Sequence, residues 1–329
     1  MEIIRDLHWL PDLADGSVVT LGEFDGVHRG HRVVLSELCQ RAAVAGCPAV
    51  VVTFDRDPIV ITDPSAAPRA LTDLDHRLEL LDHAGIDIAV VLPAEFVATI
   101  PDPKTGVVDD DAILGRLIDE VLLGGLRART IIVGENFHFG QRRRTTIDLL
   151  DARSATAGFE VARVPVAARL TSDGAVISAM AIRRALDEGD VRTAQRMLGR
   201  PYELRSTVTI GDRRGRSIGF PTANLPTAAT MQVPGDGVYA AWFWRSDGTK
   251  FPAAVNVGKR PTFYEFNERS LVEAHLIGFK GDLYGEDARL VFMSRLRAER
   301  KFAGIDELRA QLQLDIAETL SVLTGRAAG

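Results

Sequence analysis

Apolar runs that alternate with helix-like segments constrain most strongly what this chain can fold into. Ser17–Leu21 and Pro48–Phe54 are nearly continuous apolar runs, which is typical of parallel strands buried on both faces. The same kind of pattern predicts further strands at 86–92 and 129–133 and helices at 32–45, 71–84 and 109–122. Strands alternating with helices indicate right-handed βαβ units and a doubly wound, Rossmann-like α/β sheet.

The second half of the chain changes character after a helix stop at Gly199 and Pro201. Its strands are short and alternate apolar with polar residues, and turn residues recur about every ten positions, as in a small antiparallel β-barrel. Strands are predicted at 202–210, 237–245, 251–257, 271–276 and 290–292, and a C-terminal amphipathic helix at about 305–323, with Leu308, Leu312, Ile316 and Leu320 on one face. We therefore expect two domains, 1–185 and 186–329.

Composition excludes several classes of protein. The net charge of −6 over 329 residues disfavours a general nucleic-acid binder, which is usually basic. Two cysteines indicate a reducing compartment rather than a disulfide framework. No apolar run has the length of a signal-peptide core or a membrane span, so we expect a cytoplasmic protein without nucleic-acid or membrane partners. The sequence does not determine the oligomeric state.

The turn after the first strand carries two histidines three residues apart. In Gly22–His31 a strand ends and a helix begins, which places His28 and His31 at the sheet edge where α/β proteins bind ligands. A helix N-terminus favours anions, glycine lets the backbone approach a phosphate, and imidazoles can donate hydrogen bonds to its oxygens. A plain turn with two solvated histidines is the alternative. A zinc site is disfavoured because no Cys/His cluster accompanies the pair.

A second glycine-rich stretch begins the barrel-like half. Glycines at 211, 215 and 219 alternate with arginines at 213, 214 and 216, which predicts a cationic loop able to wrap phosphates. A solvated basic hairpin is the alternative for this pattern taken alone. A Pro-Thr-Ala-Asn tetrapeptide follows at 221–224.

Together with the segment 134–140, these stretches resemble the bacterial bifunctional riboflavin kinase/FMN adenylyltransferase (FAD synthetase) family, over nearly the whole chain. For the first domain the resemblance implies a nucleotidyltransferase whose His-x-Gly-His signature falls on His28, Gly30 and His31. It also implies that other residues contact the nucleotide or flavin: Gly22, Asp25, Asn136, Ser178 and Arg183.

The chain departs from the family pattern in this first domain. Asp57 stands where the family has a histidine, and Ala179 and Met180 replace two hydroxyl residues of a Ser-Ser-Thr-x-Ile-Arg motif. A carboxylate repels phosphate, and each lost charge-assisted hydrogen bond is worth about 1.5–3 kcal/mol. Two such losses predict adenylyl transfer slower by about 10²–10⁴-fold. Glu23 adds an acid inside the turn, and compensation by nearby residues is the alternative.

The second domain resembles riboflavin kinases. The resemblance implies that the glycine-rich loop closes over ATP and that Thr222 and Asn224 bind Mg²⁺ and phosphate. It implies that Glu273 is the general base, and the period of a strand places Glu273 and His275 on one face. Further nucleotide or flavin contacts are implied at Gly211, Gly215, Arg216, Gly219 and Arg297.

The expected function is therefore riboflavin kinase, which converts riboflavin and ATP to FMN and ADP with Mg²⁺. Adenylyl transfer from ATP to FMN, giving FAD and pyrophosphate, is the expected second activity, weakened by the departures. The alternatives are a kinase whose first domain only binds nucleotide or flavin or is structural, and a non-catalytic flavin-binding or regulatory protein. The expected partners are small molecules: riboflavin, FMN and ATP.

Overall fold

The structure, a computed structural model, describes residues 1–98, 110–135, 137, 146–165, 176–211, 215, 218–259 and 270–325. The chain divides into two compact units, 1–177 and 178–329. The division falls ahead of the boundary predicted after residue 185, because the helix Ala179–Asp187 groups with the second unit. The last turn of this helix forms hydrogen bonds with the second unit: the N–H of Gly235 donates to the Leu186 carbonyl, and the Gln232 amide donates to Asp187.

The first unit contains a parallel sheet. Its strands are β1 Glu2–Ile4, β2 Ser17–Leu21, β3 Ala49–Phe54, β4 Ile88–Leu92, β5 Ala128–Gly134 and β6 Glu160–Val164. They pair in the order β1-β4-β3-β2-β5-β6, all parallel. The residues of β2, β3 and β4 are buried throughout, which explains their continuous apolar runs. The predicted doubly wound sheet is confirmed.

Two strands at the sheet edges are absent from the sequence prediction. β1 has only three residues, and two of them are exposed. β6 alternates buried and exposed residues and contains charged side chains, as an edge strand with one solvated side does. Neither segment shows the continuous apolar run by which the central strands are recognised.

Helices connect the strands of the first unit. They are α1 Arg29–Ala45, α2 Ile59–Thr62, α3 Leu74–His83, α4 Asp110–Arg116 with a π-helical continuation Leu117–Gly125, and α5 Thr146–Ala157. α3 begins later than predicted because Asp73 caps it, accepting a hydrogen bond from the N–H of His76 at 2.7 Å. α1 begins earlier than predicted, directly after His28.

The strand order places the switch point of the sheet between β2 and β5. From β2 the chain proceeds through β3 to β4 on one side, whereas β5 and β6 lie on the other. Ligands of open α/β sheets bind outside the carboxyl ends of the strands at this point. The turn 22–28 follows β2 there, and the segment beginning at Glu135 follows β5.

The second unit contains a curled antiparallel sheet. Its strands are β7 Tyr202–Thr207, β8 Ala223–Asn224, β9 Gly237–Arg245, β10 Lys250–Lys259, β11 Ser270–Leu276 and β12 Asp287–Arg297. They pair in the order β7-β12-β9-β10-β11-β8. Thr209, just beyond β7, bridges to Asn224 of β8, so the two edges of the sheet meet. This closure confirms the predicted small barrel.

Three helices complete the second unit: α6 Ala179–Asp187, α7 Val191–Leu198 and α8 Ile305–Thr324. α8 packs on β9, β10 and β12, but its most buried residues are Asp315 and Thr319, and Leu320 is exposed. Each four-residue step advances a helix by about 40°, so the predicted leucine stripe turns away from the barrel before Leu320. No helix in the described ranges is long and apolar enough to cross a membrane.

Candidate active sites

His28 ends the turn after β2 and caps α1. Its Nδ1 atom accepts a hydrogen bond from the backbone N–H of His31 at 3.2 Å, and the two rings stack with centroids 3.6 Å apart. Because Nδ1 is the acceptor, the neutral ring carries its proton on Nε2, which is then the donor atom of this side chain. His28 is buried, so the alternative of two fully solvated histidines does not describe the turn.

The pKa of the His31 imidazole lies well below its usual value of 6.5. The main cause is the protein packed around the ring, which disfavours the charged form, and the neighbouring His28 and Arg77 lower the pKa further. His31 is therefore neutral near pH 7. Its Nδ1 atom is buried and finds no hydrogen-bond partner among the residues that the structure describes.

Two non-glycine residues of the turn, Phe24 and Val27, have unusual backbone conformations. Phe24, Gly26 and Val27 all have positive φ angles, of 52°, 72° and 35°. Such angles are rare for a β-branched residue such as Val27 and persist only where surrounding contacts impose them. Gly30, within the first turn of α1, is buried.

Asp25 provides some of these contacts. Its buried carboxylate accepts hydrogen bonds from the backbone N–H groups of Leu71 and Thr72 at 2.9–3.0 Å, and Thr72 Oγ1 accepts one from Gly26. The structure therefore directs Asp25 toward the loop before α3, where it positions the turn. Gly22 lies under the Phe24 ring, which would be 3.3 Å from an added Cβ.

Asp57, which replaces the expected histidine, is engaged locally. Its Oδ1 atom accepts a hydrogen bond from the N–H of Ile59 at 2.9 Å, at the start of α2. Asp55 similarly accepts one from Ala94 at 2.8 Å. Both carboxylates thus accept hydrogen bonds from backbone N–H groups.

Arg77 is a residue of this region that the sequence patterns do not identify. It lies on α3 between Leu74, Leu78 and Leu81, is 5% exposed, and donates hydrogen bonds to backbone carbonyls at the ends of β2 and β3. A charged residue at core spacing on a predicted helix is the one signal that points to it.

Ser178 caps α6, since its Oγ atom accepts a hydrogen bond from the N–H of Ala181 at 3.1 Å. Arg183 lies within the same helix. Met180, one of the two departures from the hydroxyl motif, is 72% exposed in the first turn. Its thioether therefore serves no packing role that would explain the loss of the hydroxyl.

The second unit brings the predicted base and one predicted metal ligand together. Glu273 of β11 lies directly opposite Asn224 of β8 and, on its other side, opposite Asn256 of β10. Directly opposite residues of an antiparallel pair have Cβ atoms about 4.5–5.5 Å apart and project to the same face. Glu273 is thus flanked by two amides, and Asn256 also donates to Glu299 at 3.2 Å.

Asn224 has an oxygen available for a cation. The residue is 8% exposed, and its Oδ1 atom has no hydrogen-bond partner among the described residues. A Cβ added to Gly211 would lie 2.2 Å from Asn224 Nδ2, so this side chain has its place only because residue 211 is glycine. A buried amide oxygen beside a carboxylate fits Mg²⁺, which takes few protein ligands and prefers oxygen.

The loop before β8 is compact where the structure describes it. The Gly215 carbonyl accepts hydrogen bonds from Ile218 and Phe220 at 3.2 and 2.8 Å, and Gly219 has a φ of 91°. A Cβ at Gly215 would lie 2.2 Å from the Phe220 carbonyl and 3.6 Å from Thr222 Oγ1. These glycines allow the loop to fold directly against the segment that carries Thr222.

His275 attaches this segment to the barrel. Its Nδ1 atom lies 2.8 Å from the Pro221 carbonyl, and its ring meets Phe220 edge-on with centroids 5.6 Å apart. Because a carbonyl only accepts, Nδ1 carries the proton. On one face of β11, His275 thus contacts the segment before β8, and Glu273 lies opposite Asn224 of β8.

Arg297, predicted to lie in a flavin pocket, forms a two-pronged ion pair with Asp315 of α8. The Nε–Oδ1 and Nη2–Oδ2 distances are 2.9 and 2.7 Å, and Asp315 is 1% exposed. The pair attaches the end of β12 to the C-terminal helix. Two other predicted site residues, Asn136 and Arg216, lie outside the described residues.

Comparison with known proteins identifies the class to which both units belong. The riboflavin kinase family model matches residues 198–323, and the FAD synthetase model matches 11–105 and 110–180. The chain is 32% identical over 318 residues to the bifunctional riboflavin kinase/FMN adenylyltransferase of Escherichia coli K12, covering 96% of each chain. It is 32% identical to the protein of the same name from Bacillus subtilis 168, covering 97% and 96%. The chain belongs to the bifunctional riboflavin kinase/FMN adenylyltransferase family.

A solved structure shares the architecture of both units. A chain from Streptococcus pneumoniae described as a macrolide-efflux protein aligns with a TM-score of 0.79 and 28% identity, over 96% of this chain and 97% of that one. The similarity extends along the whole chain, from the parallel sheet to the barrel.

Proposed function

We propose that the second unit phosphorylates riboflavin. Glu273 takes the proton of the terminal ribityl hydroxyl as that oxygen attacks the γ-phosphorus of ATP, and the bond to the β–γ bridging oxygen breaks to release ADP. The products are FMN, ADP and a proton held on Glu273. The observation that carries this proposal is the cross-strand pairing of Glu273 with Asn224.

Mg²⁺ is the expected metal of this reaction, and the residues present fit it. Asn224 Oδ1 would hold it directly, with Thr222 Oγ1 as the second protein oxygen. When bound, the ion neutralises charge on the ATP phosphates. Gly211, Gly215, Gly219 and Arg216 are proposed to surround the phosphates through the loop that carries them.

We further propose that the first unit transfers AMP from ATP to the phosphate of FMN. An FMN phosphate oxygen attacks the α-phosphorus of ATP, and pyrophosphate leaves as FAD forms. Such a reaction requires mainly that two anions be positioned and their charge stabilised. Support comes from the His28 Nε2–H, the neutral His31 and the N–H groups that begin α1, with Gly22 and Gly30 at the same turn.

The domain boundary after residue 185 remains a prediction, as do the contacts of Asn136, Ser178 and Arg183 and the cytoplasmic location.

The second candidate function is a kinase whose first unit binds nucleotide or flavin without reaction. The observation that favours it is the loss of two hydroxyls at Ala179 and Met180, the latter exposed. The histidine turn argues for retention of the reaction, since the rings of His28 and His31 stack at the N-terminus of α1. We therefore propose that adenylyl transfer is retained but slower than phosphorylation.

A product assay tests these proposals. The protein is incubated with riboflavin, ATP and Mg²⁺, and FMN and FAD are quantified by mass spectrometry over time. We expect rapid FMN formation followed by slower FAD formation. FMN without FAD would support the second candidate, FAD formed as fast as FMN would contradict the weakened site, and neither product would overturn the kinase proposal.

A further inference from the structure

One buried cation joins two loops of the first unit. Arg77 Nη1 donates to the Glu23 carbonyl at 2.8 Å, while Nη2 donates to the carbonyls of Phe54 and Asp55. Glu23 follows β2 and Phe54 ends β3, so a single guanidinium holds together the carboxyl ends of two adjacent strands. Its planar fork of donors suits this task, because one side chain can reach both loops at fixed geometry.

The surroundings of Arg77 keep a positive charge beneath the turn. Burial lowers the pKa of Arg77, and the carboxylates of Asp25, Glu23, Asp55 and Asp73 raise it, so the guanidinium remains charged. Arg77 Nε is buried and has no hydrogen-bond partner among the described residues. A buried arginine is weak evidence of stabilisation, because apolar residues of similar volume often stabilise as well or better. The buried charge of Arg77 therefore indicates a role beyond packing.

The position of Arg77 relative to the histidine turn indicates that role. Arg77 binds the carbonyl of Glu23, where the turn that leads to His28 begins. Within that turn, the Asp25 carboxylate accepts hydrogen bonds from Leu71 and Thr72, just before α3. Arg77 of α3 and the loop before α3 therefore hold the turn at two points, Glu23 and Asp25. Displacing the turn would move the N-terminus of α1 and both imidazoles together.

We propose that Arg77 is a positioning residue for adenylyl transfer, which fixes the turn after β2 against the end of β3 and holds a positive charge behind the phosphate-binding N-terminus of α1. This inference rests on the proposed adenylyl transfer by the first unit. A misplacement of about 1 Å away from the reacting atoms can lower a rate by about 10²-fold, so the effect is measurable.

Two substitutions distinguish the hydrogen bonds of Arg77 to the two loops from its positive charge. Arg77→Met removes the hydrogen bonds and the charge, and we expect kcat/KM for FAD formation from FMN and ATP to fall about 10²-fold. Arg77→Lys keeps the charge but cannot reach both loops, and we expect a fall of about 10-fold, mainly in kcat. The matched control is Arg5→Met, which removes an exposed arginine that lies 3.9 Å from Asp75 on the same helix and should leave the rate unchanged.

A histidine titration reports whether the charge of Arg77 acts on the histidine turn. In Arg77→Met, the pKa of His31 measured by NMR should rise but stay below 6.5, because burial, the main cause of the lowered pKa, remains when the charge of Arg77 is lost. In Arg77→Lys the pKa should stay near its wild-type value, because a positive charge is kept at residue 77.

The outcomes distinguish the inference from the function on which it rests. FMN formation, measured in the same samples, should be unchanged in all three variants and shows that the second unit is intact. If wild type forms no FAD, the adenylyl-transfer proposal fails and the inference with it. If wild type forms FAD and both Arg77 variants match it, the inference alone is overturned. Should Arg77→Met fail to fold, wild-type activity in Arg77→Lys would still overturn it.

Discussion

Glu273 and Asn224 lie directly opposite each other across the pairing of β11 with β8. The chain separates them by a long loop and two strands, and the antiparallel pairing of the short β8 strand with β11 brings them together. The pair joins a carboxylate that can accept a proton to a buried amide oxygen that can hold a cation. The proposed phosphorylation of riboflavin follows from this relationship.

Removing the Asn224 amide should weaken the response of the kinase to Mg²⁺. In Asn224→Ala we expect the Mg²⁺ concentration for half-maximal FMN formation to rise about 10-fold or more, because a buried oxygen ligand is lost. The measurement is a Mg²⁺ titration of the initial rate. Asn224→Asp is the matched variant, since it keeps an oxygen at this position, and an unchanged requirement in Asn224→Ala would show that Asn224 does not bind the ion.

Adding one methyl group at residue 211 should also impair the kinase reaction, because it displaces the Asn224 amide rather than removing it. In Gly211→Ala the Cβ would lie 2.2 Å from Asn224 Nδ2, so the amide must move. We expect FMN formation to fall about 10- to 100-fold while thermal stability changes little. Gly304→Ala is the control, because nothing lies within 4 Å of its Cβ. Equal rates in both variants would contradict the proposed place of Asn224.

His31 should make the first unit less stable in acid. Its pKa is lowered in the folded state, so between the ordinary pKa of 6.5 and the folded value the unfolded chain binds a proton that the folded chain does not. Stability is therefore complete above pH 6.5 and falls as the pH decreases below it. Hydrogen exchange of α1 amides at pH 7 and pH 5, corrected for intrinsic rates, should show this loss in wild type.

The variant His31→Gln provides the comparison, because it has no titrating group at this position. We expect its α1 protection to change less between pH 7 and pH 5 than that of wild type. An identical change in the two proteins would assign the acid sensitivity to other groups.

The ion pair of Arg297 with Asp315 should stabilise the second unit by attaching the end of β12 to α8. Arg297→Met leaves a carboxylate that is 1% exposed without its charged partner, and we expect a loss of about 3 kcal/mol in unfolding free energy. This is the low end for a broken buried pair, because Gln311 still donates to Asp315 at 2.7 Å. Denaturant unfolding monitors the loss.

The double variant Arg297→Met/Asp315→Leu distinguishes anchoring from flavin contact. It removes both charges and should recover most of the stability, with a wild-type KM for riboflavin. A stable double variant with a raised KM would instead support the predicted flavin contact of Arg297.

The sequence predicts the features that depend on local patterns. The buried runs of β2 and β3 identify the parallel sheet, and the positions of His28 and His31 after a strand identify the turn that becomes the N-terminus of α1. The period of β11 places Glu273 and His275 on one face. In each case the evidence lies within a few residues along the chain.

The features that the sequence does not predict depend on partners far away along the chain. Asp25 is implied to contact nucleotide, yet its carboxylate faces Leu71, 46 residues away. Arg77 has the spacing of a core residue, but its function depends on carbonyls 22, 23 and 54 residues away. Backbone carbonyls have no sequence signature, so contacts of this kind become visible only in the fold.

The most direct test of the account is to separate the two reactions with Glu273→Gln. The variant is assayed with riboflavin and ATP, and separately with FMN and ATP, both with Mg²⁺. We predict that FMN formation falls about 10²–10⁴-fold, the usual contribution of a general base, while FAD formation from supplied FMN keeps its wild-type rate. FMN formation near the wild-type rate, or an equal fall in both reactions, would contradict the assignment of the two reactions to separate units and of the base to Glu273.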